Sequence, residues 1–265
     1  MESSLFHSTS KKSPLAWLGG KSQLADTIIE RFPAHDAYCE VFAGAAWVLF
    51  RKPESKVEII NDINKDLVNL YRCVQLHLDE LCKQFRWMLV ARAEFDRFMV
   101  TPADTLTDIQ RAARFYYLAK TSFGAKVHKP TFGISASQPS RLNLLRIEED
   151  LSEAHLRLTR VFIENKPYAE VIDRFDRAGT LFYLDPPYWG CEDDYGVGIF
   201  SRQDFEHLAG LLAKVKGRFL LSLNDTPGVR EVFNGFKFEK VKTRYSVGAK
   251  TNKVVGEVLI SNFSR

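Results

Sequence analysis

Long apolar runs are missing from this 265-residue chain: nothing approaches the roughly 18 consecutive apolar residues that crossing a bilayer needs. The opening segment, MESSLFHSTSKKS, has no apolar centre of the kind a signal peptide carries, so a cytoplasmic protein is expected, with residues 1–13 as a mobile arm. Cysteine is scarce. Cys39, Cys73, Cys82 and Cys191 make no CxxC pair and no histidine stands at zinc-ligand spacing. That pattern signals neither a disulfide framework nor a bound metal, and leaves buried, reduced thiols as the expectation. Glycine is absent where two nucleotide-binding motifs require it. WLGGKS ends like a P-loop, but that pattern needs glycine at position 15, which is Leu15; FAGAAW offers only Gly44 toward G-x-G-x-x-G. Repeats and low-complexity tracts are also lacking.

What is present suits a globular domain. Hydrophobic residues make up 45% of the chain, enough for one sizeable core with a smaller domain inserted in it. A net charge of +4 permits a polyanionic partner without demanding one. Its distribution says more than its total. Between positions 237 and 253 stand Lys237, Lys240, Lys242, Arg244, Lys250 and Lys253 against the single acid Glu239. Such a stripe is either a phosphate-binding surface or a solvated hairpin.

Along the chain, KSQLADTIIERF sets Leu24, Ile28 and Phe32 on one helical face and is closed by Pro33. AYCEVFAGAAWVLF reads as a strand, a small-residue turn and a helix start; VEIINDIN is a short strand ending at Asn61 and Asp62, followed by a helical pattern to Leu78. This βαβα rhythm predicts a parallel sheet covered by helices. Residues 79–160 break it with two helical segments and a polar loop, and are expected to form an inserted, mainly helical domain. Alternation returns with strands at 181–185 and 219–224, a helix at 202–215 between them, and a C-terminal pair of strands joined by the basic GAKTNK. The catalytic body is therefore expected in residues 14–78 and 161–265.

Polar residues gather at the expected strand ends, where open parallel sheets bind ligands. Asp62 ends the second strand. A carboxylate there can accept hydrogen bonds from both hydroxyls of a ribose, or it can cap the helix that begins near Lys65. In LFYLDPPYWG an apolar strand runs into Asp185, and Pro186 and Pro187 remove two backbone donors while keeping their carbonyls. A carboxylate and a carbonyl can take both hydrogens of a planar amino group, and Tyr188 can stack on the ring that carries it. Trp189 either extends that stacking wall or is packed.

These motifs, in this order, resemble the Dam-type (D12 class, alpha-group) DNA adenine-N6 methyltransferases: WLGGK (17–21), YCEVFAGAAWVLF (38–50), INDIN (60–64), YLDPPYWG (183–190), LLSLNDTPGVREVF (220–233) and RYSVGAKTNKVVGEVLISNF (244–263). The resemblance covers nearly the whole chain. It implies a Rossmann-like class I methyltransferase sheet, mostly parallel with a C-terminal antiparallel hairpin, and a target-recognition insert at 79–160. It also implies S-adenosylmethionine as methyl donor, double-stranded DNA as partner, and no metal; monomer and weak dimer stay open. Trp17, Lys21, Asp62 and Asp185 match donor-binding positions, joined by Glu40, Phe42 and Gly44 of the turn. Asp185, Pro186 and Tyr188 match the residues that hold a flipped adenine, whose amino nitrogen attacks the methyl group without a covalent enzyme intermediate.

Departures accompany the matches. Val41 stands where the family has proline after the glutamate, and Gly44, Ala45 and Ala46 replace a Gly-x-Gly turn. KTSFGAKVHKPTFG (120–133) resembles the DNA-contacting segment of relatives but differs from those that read GATC, so no target sequence is assigned. Lys126, His128, Lys129 and Arg141 of the insert, with Arg244, Lys250 and Lys253 of the hairpin, are the candidate DNA contacts. The competing readings are a catalytically impaired DNA-binding module of the same fold and an amino-group methyltransferase acting on RNA or protein glutamine. Relatives with the glutamine activity carry asparagine where this chain has Asp185. A bacterial or phage source fits the pattern.

Overall fold

Five successive residues, Thr180–Leu184, are buried on both sides, as only a strand in the middle of a covered sheet can be. The computed structural model describes residues 12–15, 17, 20–125, 130–134, 139–192, 196, 198–242 and 256–264. Seven strands form one sheet: β1 (Ala37–Glu40), β2 (Val57–Asn61), β3 (Val161–Glu164), β4 (Thr180–Leu184), β5 (Arg218–Asn224), β6 (Lys237–Lys242) and β7 (Gly256–Ser261). Their spatial order is β3-β2-β1-β4-β5-β7-β6. β1 is parallel to β2 and β4, and β4 to β5; β7 runs antiparallel between β5 and β6. This is the mostly parallel class I methyltransferase sheet with an antiparallel C-terminal pair. The order reverses between β1 and β4, so a crevice opens beyond their carboxyl ends.

Helices are α1 (Ala25–Ile29), α2 (Trp47–Arg51), α3 (Lys65–Leu76), α4 (Leu78–Phe85), α5 (Arg92–Val100), α6 (Asp108–Thr121), α7 (Ile147–Leu158), α8 (Tyr168–Phe175), α9 (Arg202–Leu212) and α10 (Pro227–Val232). The helix expected from Lys21 is split: a 3-10 turn, Lys21–Gln23, precedes α1. The strand expected to reach Asp185 stops at Leu184, because Pro186 and Pro187 give the ladder no N–H.

The chain divides into two compact units. The sheet unit comprises Lys21–Gly44, Pro53–Asn64 and Phe162–Arg265. Alternate residues of its strands, among them Cys39, Ile59, Phe182, Leu184, Phe219, Leu221, Leu223, Val258 and Ile260, build the core with Val171 and Ile172 of α8 and Phe205, Leu208 and Leu212 of α9. The intervening residues face the other way. They include Tyr38, Glu40, Tyr183, Ser222 and Glu257, all buried. One face of the sheet is thus oily and the other carries a buried polar stripe.

The other unit, Met1–Gly20, Ala45–Lys52 and Lys65–Val161, is helical. Within it α6 packs on α3, α4 and α5, and α7 on α3 and α4. A capping box at Thr107 and Gln110 starts α6, where Thr107 Oγ1 accepts the Gln110 N–H at 3.3 Å. Buried Tyr117 of α6 donates to the Leu89 carbonyl at 2.9 Å and accepts from the Ala91 N–H at 3.1 Å, which fixes the link between α4 and α5.

Candidate active site

Asp185 is the first residue past β4, and its alternation places it on the polar face with Tyr183. Two donors converge on its Oδ1: Lys21 Nζ at 2.6 Å and Ser222 Oγ of β5 at 3.1 Å. Tyr183 Oη meets the same serine hydroxyl at 3.1 Å. Among the described residues no hydrogen bond reaches Asp185 Oδ2. Burial disfavours the carboxylate and raises its pKa, while Lys21 and Ser222 pull it back down.

Lys21 is 97% enclosed, its ammonium also donating to Tyr188 Oη at 3.0 Å and lying 3.4 Å from Glu257 Oε1 of β7. Burial alone would strip its proton. Asp185, Tyr188, Glu257 and Tyr183 more than offset that, so its pKa stands well above 10.5 and the amine stays charged. A lysine at the start of a short turn is therefore a structural cation that aims a carboxylate and a phenol.

At the ends of β1 and β2 a second group assembles. Asp62 Oδ2 accepts the Gly44 N–H and Oδ1 the Asn64 N–H, each at 2.9 Å. Both bonds lie ahead of α3, so the helix-cap alternative for Asp62 gives way to a clasp on the turn after β1. Buried Asn61 braces it: Nδ2 donates to the Val41 and Lys166 carbonyls, each at 3.0 Å, and Oδ1 accepts the Lys166 N–H at 2.9 Å. Burial raises the Asp62 pKa against those backbone donors. Gly44 sits at φ 47°, the left-handed region that favours glycine, and Ala46 holds φ 50° without that freedom. Half-buried Phe42 packs against Tyr168 at 5.6 Å and Phe200 at 5.9 Å, and Glu40 accepts the Tyr38 hydroxyl at 2.8 Å.

Sequence-selected residues are thus placed as follows. Lys21 touches both Asp185 and Tyr188; Gly44 and Asp62 form the neighbouring clasp. Pro186 is buried. Trp17 belongs to the helical unit, its ring 6.3 Å from that of Phe115. Arg141 is exposed, while Lys126, His128, Lys129, Arg244, Lys250 and Lys253 lie outside the described residues. Cys39, Cys73 and Cys82 are buried, but Cys191 is exposed, contrary to the expectation of four buried thiols. Ser222, Glu257 and Tyr183 were not singled out from the sequence. The signal was there: a serine and a glutamate interrupt otherwise apolar strands in FLLSLN and GEVLIS.

A sheet with its order reversing beside a D-P-P-Y carboxylate narrows the comparison. The D12 class N6 adenine-specific DNA methyltransferase family matches residues 17–247. The chain belongs to that family. It is an adenine-specific DNA methyltransferase, and its reaction takes a methyl donor and a DNA substrate. It is similar to the DNA adenine methylase of Salmonella typhi, 29% identical over 262 residues covering 92% of this chain and 93% of that one. Similarity extends to the type II methyltransferase M.MjaIII of Methanocaldococcus jannaschii, 27% identical over 286 residues (94% and 98% covered). The type II methyltransferase M.CviBI of Paramecium bursaria Chlorella virus NC1A is 22% identical over 250 residues (93% and 96%). No helix among the described residues is long and apolar enough to cross a membrane.

Proposed function

We propose that this methyltransferase takes S-adenosylmethionine as donor and acts on an adenine swung out of double-stranded DNA, with Asp185, Pro186 and Tyr188 holding the base. The observation that carries the reading is the division of labour on Asp185: one carboxylate oxygen is fixed by Lys21 and Ser222, and the other has no partner among the described residues. A fixed carboxylate with an open oxygen suits one N–H of the exocyclic amino group. The Pro186 carbonyl suits the second. With both hydrogens drawn toward acceptors, the nitrogen lone pair is left directed out of the ring plane. Half-buried Tyr188, its hydroxyl tethered by Lys21, supplies the ring face that offsets unstacking, a cost of about a few kcal/mol.

The donor groups present suit S-adenosylmethionine. Asp62 offers a two-oxygen acceptor for the ribose hydroxyls beside Ile63, which is 46% exposed and presents an apolar face to an adenine ring. When bound, the donor supplies a methyl group on a positively charged sulfur. Lys21, Glu40, Phe42, Gly44 and Asp185 complete the proposed donor set on the sheet unit. Residues 79–160 serve target recognition in this reading, with Arg141 and the basic residues at 126, 128, 129, 244, 250 and 253 on phosphates.

The test pairs tritium transfer with calorimetry. Asp185→Ala should abolish methyl transfer to DNA while leaving DNA affinity within several-fold of the parent. Full residual activity would sink the assignment, and absence of saturable S-adenosylmethionine binding by the intact chain would sink the donor.

A further inference from the structure

The segment after the two prolines is fastened at Trp189. Its N–H donates to Asn224 Oδ1 and its carbonyl accepts from Asn224 Nδ2, both at 2.9 Å. Asn224 ends β5, so one side-chain amide does for this loop what a neighbouring backbone would do, just beyond the point where Pro186 and Pro187 leave the ladder. The indole is seated on three sides. Phe205 lies at 5.1 Å and 47°; the Arg202 guanidinium lies 3.7 Å from the ring centroid and is paired with Glu192 Oε1 at 3.0 Å. Gly228 closes the third side, where an added Cβ would lie 2.2 Å from Trp189 Cζ2. Gly228 stands in the first turn of α10 without a positive φ, so the position needs room and not backbone freedom.

We infer that Asn224 and Trp189, with Gly228 as the seat of the indole, are positioning residues for Tyr188 and Asp185. The inference rests on the reading of those two as the base-holding pair. Tyr188 is held at its hydroxyl by Lys21 and at its backbone by the anchored residue that follows it. Its ring is therefore aimed from both ends. Neither Asn224 nor Trp189 need touch the base or the donor for its loss to be felt, since a displacement of about 1 Å at a reacting centre can lower rate by about a hundredfold.

The experiment measures kcat and KM by tritium transfer to DNA from a host without adenine methylation, together with S-adenosylmethionine affinity by calorimetry and the thermal midpoint. Parent, Asp185→Ala, Asn224→Ala, Gly228→Ala, Trp189→Leu and the Gly228→Ala, Trp189→Leu pair are compared. Asn224→Ala and Gly228→Ala should each lower kcat by about 10- to 100-fold with donor affinity within about threefold of the parent. Gly228→Ala should add nothing once Trp189 is leucine, because the clash is with the indole. Parental kcat in Asn224→Ala, equal losses of kcat and donor affinity, or additive losses in the paired variant overturn the inference. Should Asn224→Ala fail to fold, the Gly228 and Trp189 cycle decides alone. Activity retained by Asp185→Ala would overturn the base-holding reading and this inference with it, whereas an inactive Asp185→Ala beside a fully active Asn224→Ala overturns this inference only.

Discussion

Lys21 Nζ stands 2.6 Å from Asp185 Oδ1, with 3% of the lysine side chain and 19% of the aspartate exposed. A buried pair of this kind is weak evidence for net stability, but breaking it by removing one partner strands the other charge.

Replacing the cation should therefore shift the pH dependence. In the proposed role a proton on the open Asp185 oxygen would turn that acceptor into a donor, so activity is expected above its pKa and should be lost as pH falls through it. That pKa is already raised by burial and held back by Lys21. In Lys21→Met the acid limb of kcat/KM should move to higher pH, with a loss of at least about tenfold at neutral pH. Stability should move the other way. A folded-state pKa above the unfolded one means the native state binds the proton more readily, so this group's contribution grows as pH falls through that window. Parallel acid profiles of activity for parent and variant would contradict the expectation.

Asp62→Asn keeps the shape of the clasp but can accept through only one side-chain atom, where the carboxylate uses two. Donor affinity should drop by about 10- to 100-fold, the range expected when a hydrogen bond to a charged group is removed. Calorimetric titration with S-adenosylmethionine checks it, and an unchanged affinity would remove Asp62 from the donor site.

Gly44 and Ala46, both left-handed, make opposite predictions. Ala46 holds φ 50° with a Cβ, so Ala46→Gly should stabilise the chain by up to about 1 kcal/mol, raising the thermal midpoint by about 2–4 °C. Gly44→Ala imposes the same strain at φ 47° and should lower stability by about 1–2 kcal/mol. Differential scanning calorimetry on both variants measures the pair.

The proposed phosphate-binding residues are checked by salt. Replacing Arg244, Lys250 and Lys253 together with alanine should weaken DNA binding and reduce the slope of log K against log salt by about 0.9 for each phosphate that is no longer neutralised. An unchanged slope would remove these three residues from the phosphate contacts.

How much of this was legible in the sequence depended on whether a residue's partner lay nearby. LFYLD read as a strand because apolar positions in an unbroken row have few other uses, and Asp185 stood out because two prolines follow it. Local context offered it no partner. The amine that aims it comes from 164 positions earlier, from the turn before α1, and the hydroxyl from 37 later, a connection that the parallel pairing of β4 and β5 creates. Asp62 was ambiguous because a strand-end carboxylate serves a helix cap and a ligand equally well, and only the Gly44 N–H separates the two. Trp189 could not be resolved while Gly228 and Phe205 were merely distant letters.

Glu257, on β7, brings one of the last strands of the fold up against Lys21. During synthesis at roughly 5–20 residues per second, the lysine must wait about ten seconds or more after leaving the ribosome for that carboxylate to exist. Until Glu257 has been made, the Lys21 ammonium can meet Asp185 and Tyr188 but lacks the second carboxylate that holds it in the finished fold.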